Sequence, residues 1–292
     1  MTNKKEQVTG NKGRRFHYAF FLCSLFFACS SAPKNTGDVY DMRKDAEVQI
    51  EMGNAQADRG NYDTALVFIN EAMRLAVITD NSSLLIRSGI SLGNVLFELG
   101  NTEDAFKAWN KALEEANLTG KNEFAAVCRV YIARGKLLSR DAAQSVRDDV
   151  NRELALLKSD EMYIALAWTV IGLAEKELGR YDAAEDAVKR ALAIHEKNHS
   201  LELAAYDWFM IASFRSLSGN SGGAIRALEN AIEYDRRTEN SWGLANDWQA
   251  LGDVQKKAGN LDAAGAAYSR AANIYRAIGN AEAAERALKR RE

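Results

Sequence analysis

One string in this chain has the residue types and spacing of a metal site: His195-Glu196-Lys197-Asn198-His199. On a helix, histidines at i and i+4 share a face, so both imidazoles could bind zinc while Glu196 acted as general base. Catalytic zinc needs a third protein ligand, and no histidine follows His199. Ser200-Leu201-Glu202 comes next, and Glu202 could reach a shared metal only if the chain bent back there. Lys197 also puts a charge inside a motif whose interior positions are normally uncharged. Other catalytic patterns are missing: there is no glycine-rich phosphate loop of the spacing that cradles nucleotides, and no Gly-x-Ser-x-Gly elbow. The expectation is a non-catalytic chain with no metal and no cofactor. A zinc peptidase built on His195, Glu196 and His199 stays as the remote alternative.

The cysteines point elsewhere. Lys4, Lys5, Lys12, Arg14 and Arg15 precede an apolar run from Phe16 to Ala28 that is too short to span a bilayer. Ala28-Cys29-Ser30-Ser31-Ala32 follows. This arrangement resembles the signal of bacterial lipoproteins, with Phe26 where that family usually carries an aliphatic residue. The resemblance implies removal of residues 1–28 and lipid on Cys29. An ordinary signal peptide cut after Ser30 is the alternative. Cys23 lies inside the apolar run, which leaves Cys128 without a disulfide partner, and His17 would depart with the signal.

Losing that segment would remove five basic residues and one acid from a formal net charge of −2, leaving −6. A negative chain of this kind lacks the basic face that nucleic acid or an anionic membrane requires. Membrane contact is therefore expected through the N-terminal lipid alone. Pro33 is the single proline, so nothing after it interrupts long helices.

Those elements recur. Segments beginning at Met52, Leu92, Ile171, Ile211 and Leu251 align in phase, with glycines at 60, 100, 179, 219 and 259. The steps are 40, 79, 40 and 40 residues, so a sixth, degenerate repeat must fill the long one. Its stretch around Ser139-Arg140 has lost the glycine turn. That loss reads either as drift in a repeat held by both neighbours or as a local change of curvature. Trp168 with Ile171-Gly172, Gly179-x-Tyr181, Ala184, Val188 and Ala191 shows the motif best, and Trp248, Leu251-Gly252, Gly259, Ala264, Tyr268 and Ala271 repeat it. The pattern resembles the tetratricopeptide repeat (TPR), in the longer forty-residue form of kinesin light chain.

The resemblance implies an all-α, right-handed TPR solenoid of about six helical hairpins. The repeats fall near 40–79, 80–119, 120–158, 159–198, 199–238 and 239–278, with a C-terminal capping helix over 280–292 and a flexible tether over 29–39. Gly53, Gly93, Gly172, Ala212 and Gly252 are expected to face Ala65, Ala105, Ala184, Ala224 and Ala264, so that paired helices approach closely. Asn61, Asn101, Asn220 and Asn260 follow the turn glycines as N-caps. Trp168, Trp208 and Trp248 are expected to pack between adjacent hairpins. His195 should sit exposed at a hairpin end, with His199 at or past the turn.

In the TPR family, partner peptides usually lie in the concave groove lined by the first helix of each hairpin. Carried over by repeat position, that groove would use Asn54, Asp58, Asn94, Glu98, Leu173, Glu177, Ser213, Asp253 and Lys257. Ile50 and Ile90 stand where chaperone-binding members carry a carboxylate-clamping lysine, which excludes that clamp. The implied partner is a protein or peptide, held by a scaffold in the bacterial envelope, facing the periplasm. The alternative is an accessory subunit of a periplasmic solute-binding transport system.

Overall fold

The computed structural model describes residues 36–137, 142–158 and 160–291. Cys29, its signal and Ser139-Arg140 lie outside them. Thirteen helices run through the described residues. They are α1 (Thr36–Asp58), α2 (Tyr62–Ile78), α3 (Ser82–Glu98), α4 (Thr102–Leu118), α5 (Asn122–Lys136) and α6 (Ala143–Leu154). Then come α7 (Glu161–Glu177), α8 (Tyr181–Lys197), α9 (Leu201–Leu217), α10 (Ser221–Arg237), α11 (Ser241–Lys257), α12 (Leu261–Ala277) and α13 (Ala281–Arg291). Consecutive helices pair as six hairpins, each hairpin packs on the next, and α13 closes the stack. Helix α1 starts at Thr36, inside the stretch expected to be tether. In the third hairpin α6 has 12 residues, where most helices have 17.

One turn geometry sets the period. In five of the six hairpins the second residue after the first helix is a left-handed glycine, as at Gly60 (φ 76°) and Gly179 (φ 73°). The next N–H then reaches back to a carbonyl five residues earlier, as Asn61 N–H does to Gln56 O at 2.9 Å. The same closure ends every second helix but α6, with Gly120 and Gly279 in the left-handed place at two of them and Asp80 (φ 46°), His199 (φ 56°) and Glu239 (φ 56°) at the others. The structural period is thus a half-repeat of about twenty residues.

Capping departs from expectation. Among the four asparagines, only Asn220 caps with its side chain, accepting from Gly223 N–H at 2.8 Å. The amides of Asn61 and Asn260 instead donate back to Gln56 and Gln255. Side-chain caps cluster at the joints between hairpins, on Asn81, Asp160, Asn240 and Asn280.

Close helix approach brings Gly172 and Gly53 against Ala184 and Ala65, as expected, and adds a second partner. A Cβ on Gly172 would lie 2.5 Å from Val188 Cγ2 and 3.1 Å from the Ala184 carbonyl. On Gly252 it would strike the Tyr268 ring at 2.5 Å, and on Gly53 it would meet Ile69 at 2.7 Å. Each glycine therefore makes room for the large side chain sixteen residues later, beyond the small residue at twelve. Trp168 and Trp208 pack half-buried against the core, and Trp248 joins two core clusters. Arg190 covers Trp168 at 4.4 Å, and Arg270 covers Trp248 at 4.5 Å.

Candidate functional site

All six first helices, α1, α3, α5, α7, α9 and α11, line one concave cavity of about 1000 Å³. The stack curls far enough that Asn54 and Asp58 on α1 share this cavity with Trp242 and Asp247 on α11. A second cavity, lined by Asp58, Arg59, Glu202 and Trp242 among others, lies where α1 nears the last hairpins.

Five of the nine groove residues expected from repeat position line the cavity: Asn54, Asp58, Asn94, Glu98 and Asp253. The other four do not. Leu173 packs half-buried on the core, Glu177 lies beside Lys176, Ser213 is half-buried outside the cavity, and Lys257 donates to the Ser216 carbonyl. The cavity crosses the first helices obliquely. It meets the last turns of α1 and α5 and the early and middle turns of α7 and α9, and it runs along α3 from Arg87 to Glu98 and along α11 from Trp242 to Asp253. A fixed repeat position drifts out of it for that reason.

The largest residues missed are aromatic. Tyr131, Tyr163, Tyr206, Phe209 and Trp242 line the cavity, and Tyr206 stacks on Phe209 with ring centroids 6.5 Å apart. Tyr206 and Trp242 remain about half exposed, at 51% and 50%. Repeat arithmetic could have found some of them. Arg87, Leu166, Tyr206 and Asn246 occupy one equivalent position, and Arg134 is the third-repeat counterpart of Asn54 and Asn94.

Several polar side chains of the groove are already held. Asn94 accepts from Trp109 Nε1 at 3.2 Å. Arg134 donates to Glu98 at 2.8 Å. Asp253 accepts from Tyr268 Oη at 2.8 Å and Arg290 Nη1 at 2.6 Å. Asp58 and Glu202 make no ion pair among the described residues. Burial, with Glu202 adding to it, raises the Asp58 carboxyl above its usual range.

Asp247 and Asp235 form the least ordinary feature of the wall. They are 2% and 3% exposed. Asn240 Nδ2 donates to Asp235 Oδ1 at 3.0 Å, while no donor reaches the buried Asp247 Oδ2. Burial, and after it the neighbouring Asp235 carboxyl, push Asp247 up to about 8, and burial pushes Asp235 up to about 6. One proton shared between two carboxyls is the arrangement that follows.

The histidines do not form a zinc helix. His195 is 5% exposed, not solvated as expected, and its Nδ1 lies 2.6 Å from Asp207 Oδ2. Its position in the second helix points at the next hairpin, so a polar group there must find a buried partner. His199 lies past the end of α8, exposed and left-handed. Glu196 accepts from Tyr234 Oη at 2.6 Å, and Glu202 belongs to the groove. The described residues hold no cluster of three or more metal-binding side chains. Burial pushes the Cys128 thiol up to about 12, which leaves it a packed, protonated group.

A family model described as tetratricopeptide repeat matches residues 165–198. No curated protein sequence matches the chain. Among solved structures, a Rap protein complexed with competence and sporulation factor is similar, with a TM-score of 0.60 at 18% identity. That match covers 84% of this chain and 73% of the Rap chain. The APC/C hetero-tetramer Cut9-Hcn1 gives 0.60 at 15% identity, over 87% of this chain and 46% of that one. PilW, a widely conserved type IV pilus biogenesis factor, gives 0.53 at 17%, over 83% and 98%. At such identities the likeness is one of fold, and the fold is an all-α TPR solenoid.

Proposed function

We propose that this chain is a non-catalytic scaffold that holds a segment of a partner protein in its concave groove, tethered to a bacterial envelope membrane by lipid on Cys29. The observation that carries the groove reading is its surface. Six helices contribute one continuous concavity, and large aromatic side chains stay half exposed inside it rather than in the core. Half-exposed aromatics in a rigid concavity supply much contact area at little entropic cost. The tether reading rests on the charged segment, short apolar run and Ala28-Cys29. In the described residues no helix is long and apolar enough to cross a membrane.

Affinity purification from detergent-solubilised envelopes tests both halves. The wild type should recover a partner that Tyr206→Ala/Trp242→Ala loses, while the melting temperature stays within a few degrees. Equal recovery by both chains would place binding elsewhere. Mass spectrometry of the mature N-terminus should find a lipid-modified Cys29, and an unmodified N-terminus at Ser31 would contradict the anchor. A copurifying solute receptor would favour the transport alternative, and an outer-membrane or pilus component the assembly role.

A further inference from the structure

We infer that the groove selects a basic segment, with one Lys or Arg side chain of the partner seated against Asp247 and Asp235. This rests on the groove reading above and adds the chemistry of what the groove accepts. The cavity wall carries Asp58, Glu98, Glu202, Asp235, Asp247 and Asp253 against only Arg87 and Arg134. Part of that excess is balanced internally, since Arg134 holds Glu98 and Arg290 holds Asp253. Arg87 is drawn toward Glu47 at 3.7 Å. The unbalanced charge is therefore Asp58, Glu202 and the Asp235–Asp247 pair. These sit on α1, α9, α10 and α11, where the curled stack brings its ends together around the cavity.

Asp247 is the second and independent observation. A buried carboxyl oxygen without a donor is rare, because leaving one unsatisfied costs about 1–3 kcal/mol. The fold satisfies its neighbour through Asn240 but leaves Asp247 Oδ2 with nothing. Gly243 makes room for the Asp235 carboxylate itself, since a Cβ there would stand 2.1 Å from Asp235 Oδ2. An ammonium or guanidinium donor would supply the missing hydrogen bond and let both carboxyls ionise, releasing the shared proton. Tyr206 and Trp242 line the same cavity and offer faces for the cation and its aliphatic stem. A metal ion fits less well, because the described residues hold no group of three ligating side chains. A cavity spread over six helices suits an extended chain better than a small amine.

A displayed library of random twelve-residue peptides, selected on the full folded chain, tests this. The expected result is enrichment of Lys or Arg at one position. Peptides carrying it should bind Asp247→Asn at least tenfold more weakly, while their Lys/Arg→Gln versions bind both chains alike. Glu202→Lys, at an exposed position with no ion pair to lose, should weaken the same peptides and keeps the test readable if Asp247→Asn folds poorly. Binders with no basic preference, equally tight on Asp247→Asn, would overturn this inference and leave the groove reading standing. No binders at all, or binders unaffected by Tyr206→Ala/Trp242→Ala, would overturn the groove reading itself. Saturable binding of spermidine that Asp247→Asn abolishes, with no enrichment of basic peptides, would overturn the choice of a peptide occupant.

Discussion

His195 and Asp207 meet across a joint between hairpins, Nδ1 to Oδ2 at 2.6 Å, and forty residues on Asp235 and Asp247 occupy the same two places. The first place is filled through the repeats by Ala76, Ala116, His195, Asp235 and Tyr275, all buried. The second is filled by Ser88, Cys128, Ala167, Asp207, Asp247 and Ala287, also buried. Pairs of small residues at the N-terminal joints thus give way to larger polar pairs at two later ones. The charged pairs interrupt an otherwise close-packed seam, and stability there depends on each keeping its partner.

Replacing His195 with Ala should therefore destabilise the fold. Asp207 Oδ1 already lacks a partner, and the substitution would strip Oδ2 as well. The expected cost is about 2–4 kcal/mol, between that of an unsatisfied buried group and that of a broken buried pair. His199→Ala should stay within about 0.5 kcal/mol, because that side chain is exposed. Urea unfolding at pH 7 separates the two. Equal, small effects would show that His195 is solvated in solution.

The Asp235–Asp247 pair should make stability fall as pH rises. Both carboxyls titrate above the ordinary value of 3.8, near 6 and 8, chiefly because they are buried. Between about pH 4 and pH 8 the folded chain holds protons that the unfolded chain has released, so raising pH favours unfolding. Asp247→Asn should flatten this slope and gain at least about 1 kcal/mol over wild type at pH 8. A matched set of denaturation curves from pH 5 to pH 8.5 would show parallel profiles if the pair were not protonated.

Gly172→Leu should lower the melting temperature. Even a Cβ there would strike Val188, and the longer side chain adds overpacking of roughly 1–3 kcal/mol or more. Adjacent hairpins should soften with it, since repeat stability is shared across interfaces. Amide exchange that changes only within the fourth hairpin would contradict that sharing.

Glu239→Gly and Asp80→Gly should each stabilise the chain by about 1 kcal/mol. Both residues are exposed and left-handed, a conformation that costs a side-chain-bearing residue roughly 1–2 kcal/mol. An unchanged or lower melting temperature for both would show that their side chains have partners in solution that offset the strain.

The hairpins were legible because glycines and small residues recur in phase, and helix packing constrains those positions in every repeat. The groove was half legible. Asn54, Asn94 and Asp253 follow the repeat, whereas Tyr206 and Trp242 occupy surface positions that packing leaves free to vary. The oblique path of the cavity cannot be read from a one-dimensional period. His195 was misplaced because hydrophobic patterning registers a lone polar residue as surface. Only the column of buried equivalents, Ala76 and Ala116 among them, marks its position as core.

Site-specific photo-crosslinking in cells tests the groove most directly. A crosslinking residue would replace Tyr206 or Trp242 inside the cavity, or Val67 or Leu118, which are exposed outside it. The account predicts that Tyr206 and Trp242 capture the same partner and that Val67 and Leu118 capture none. Capture from Val67 or Leu118, with silence at both groove positions, would contradict it.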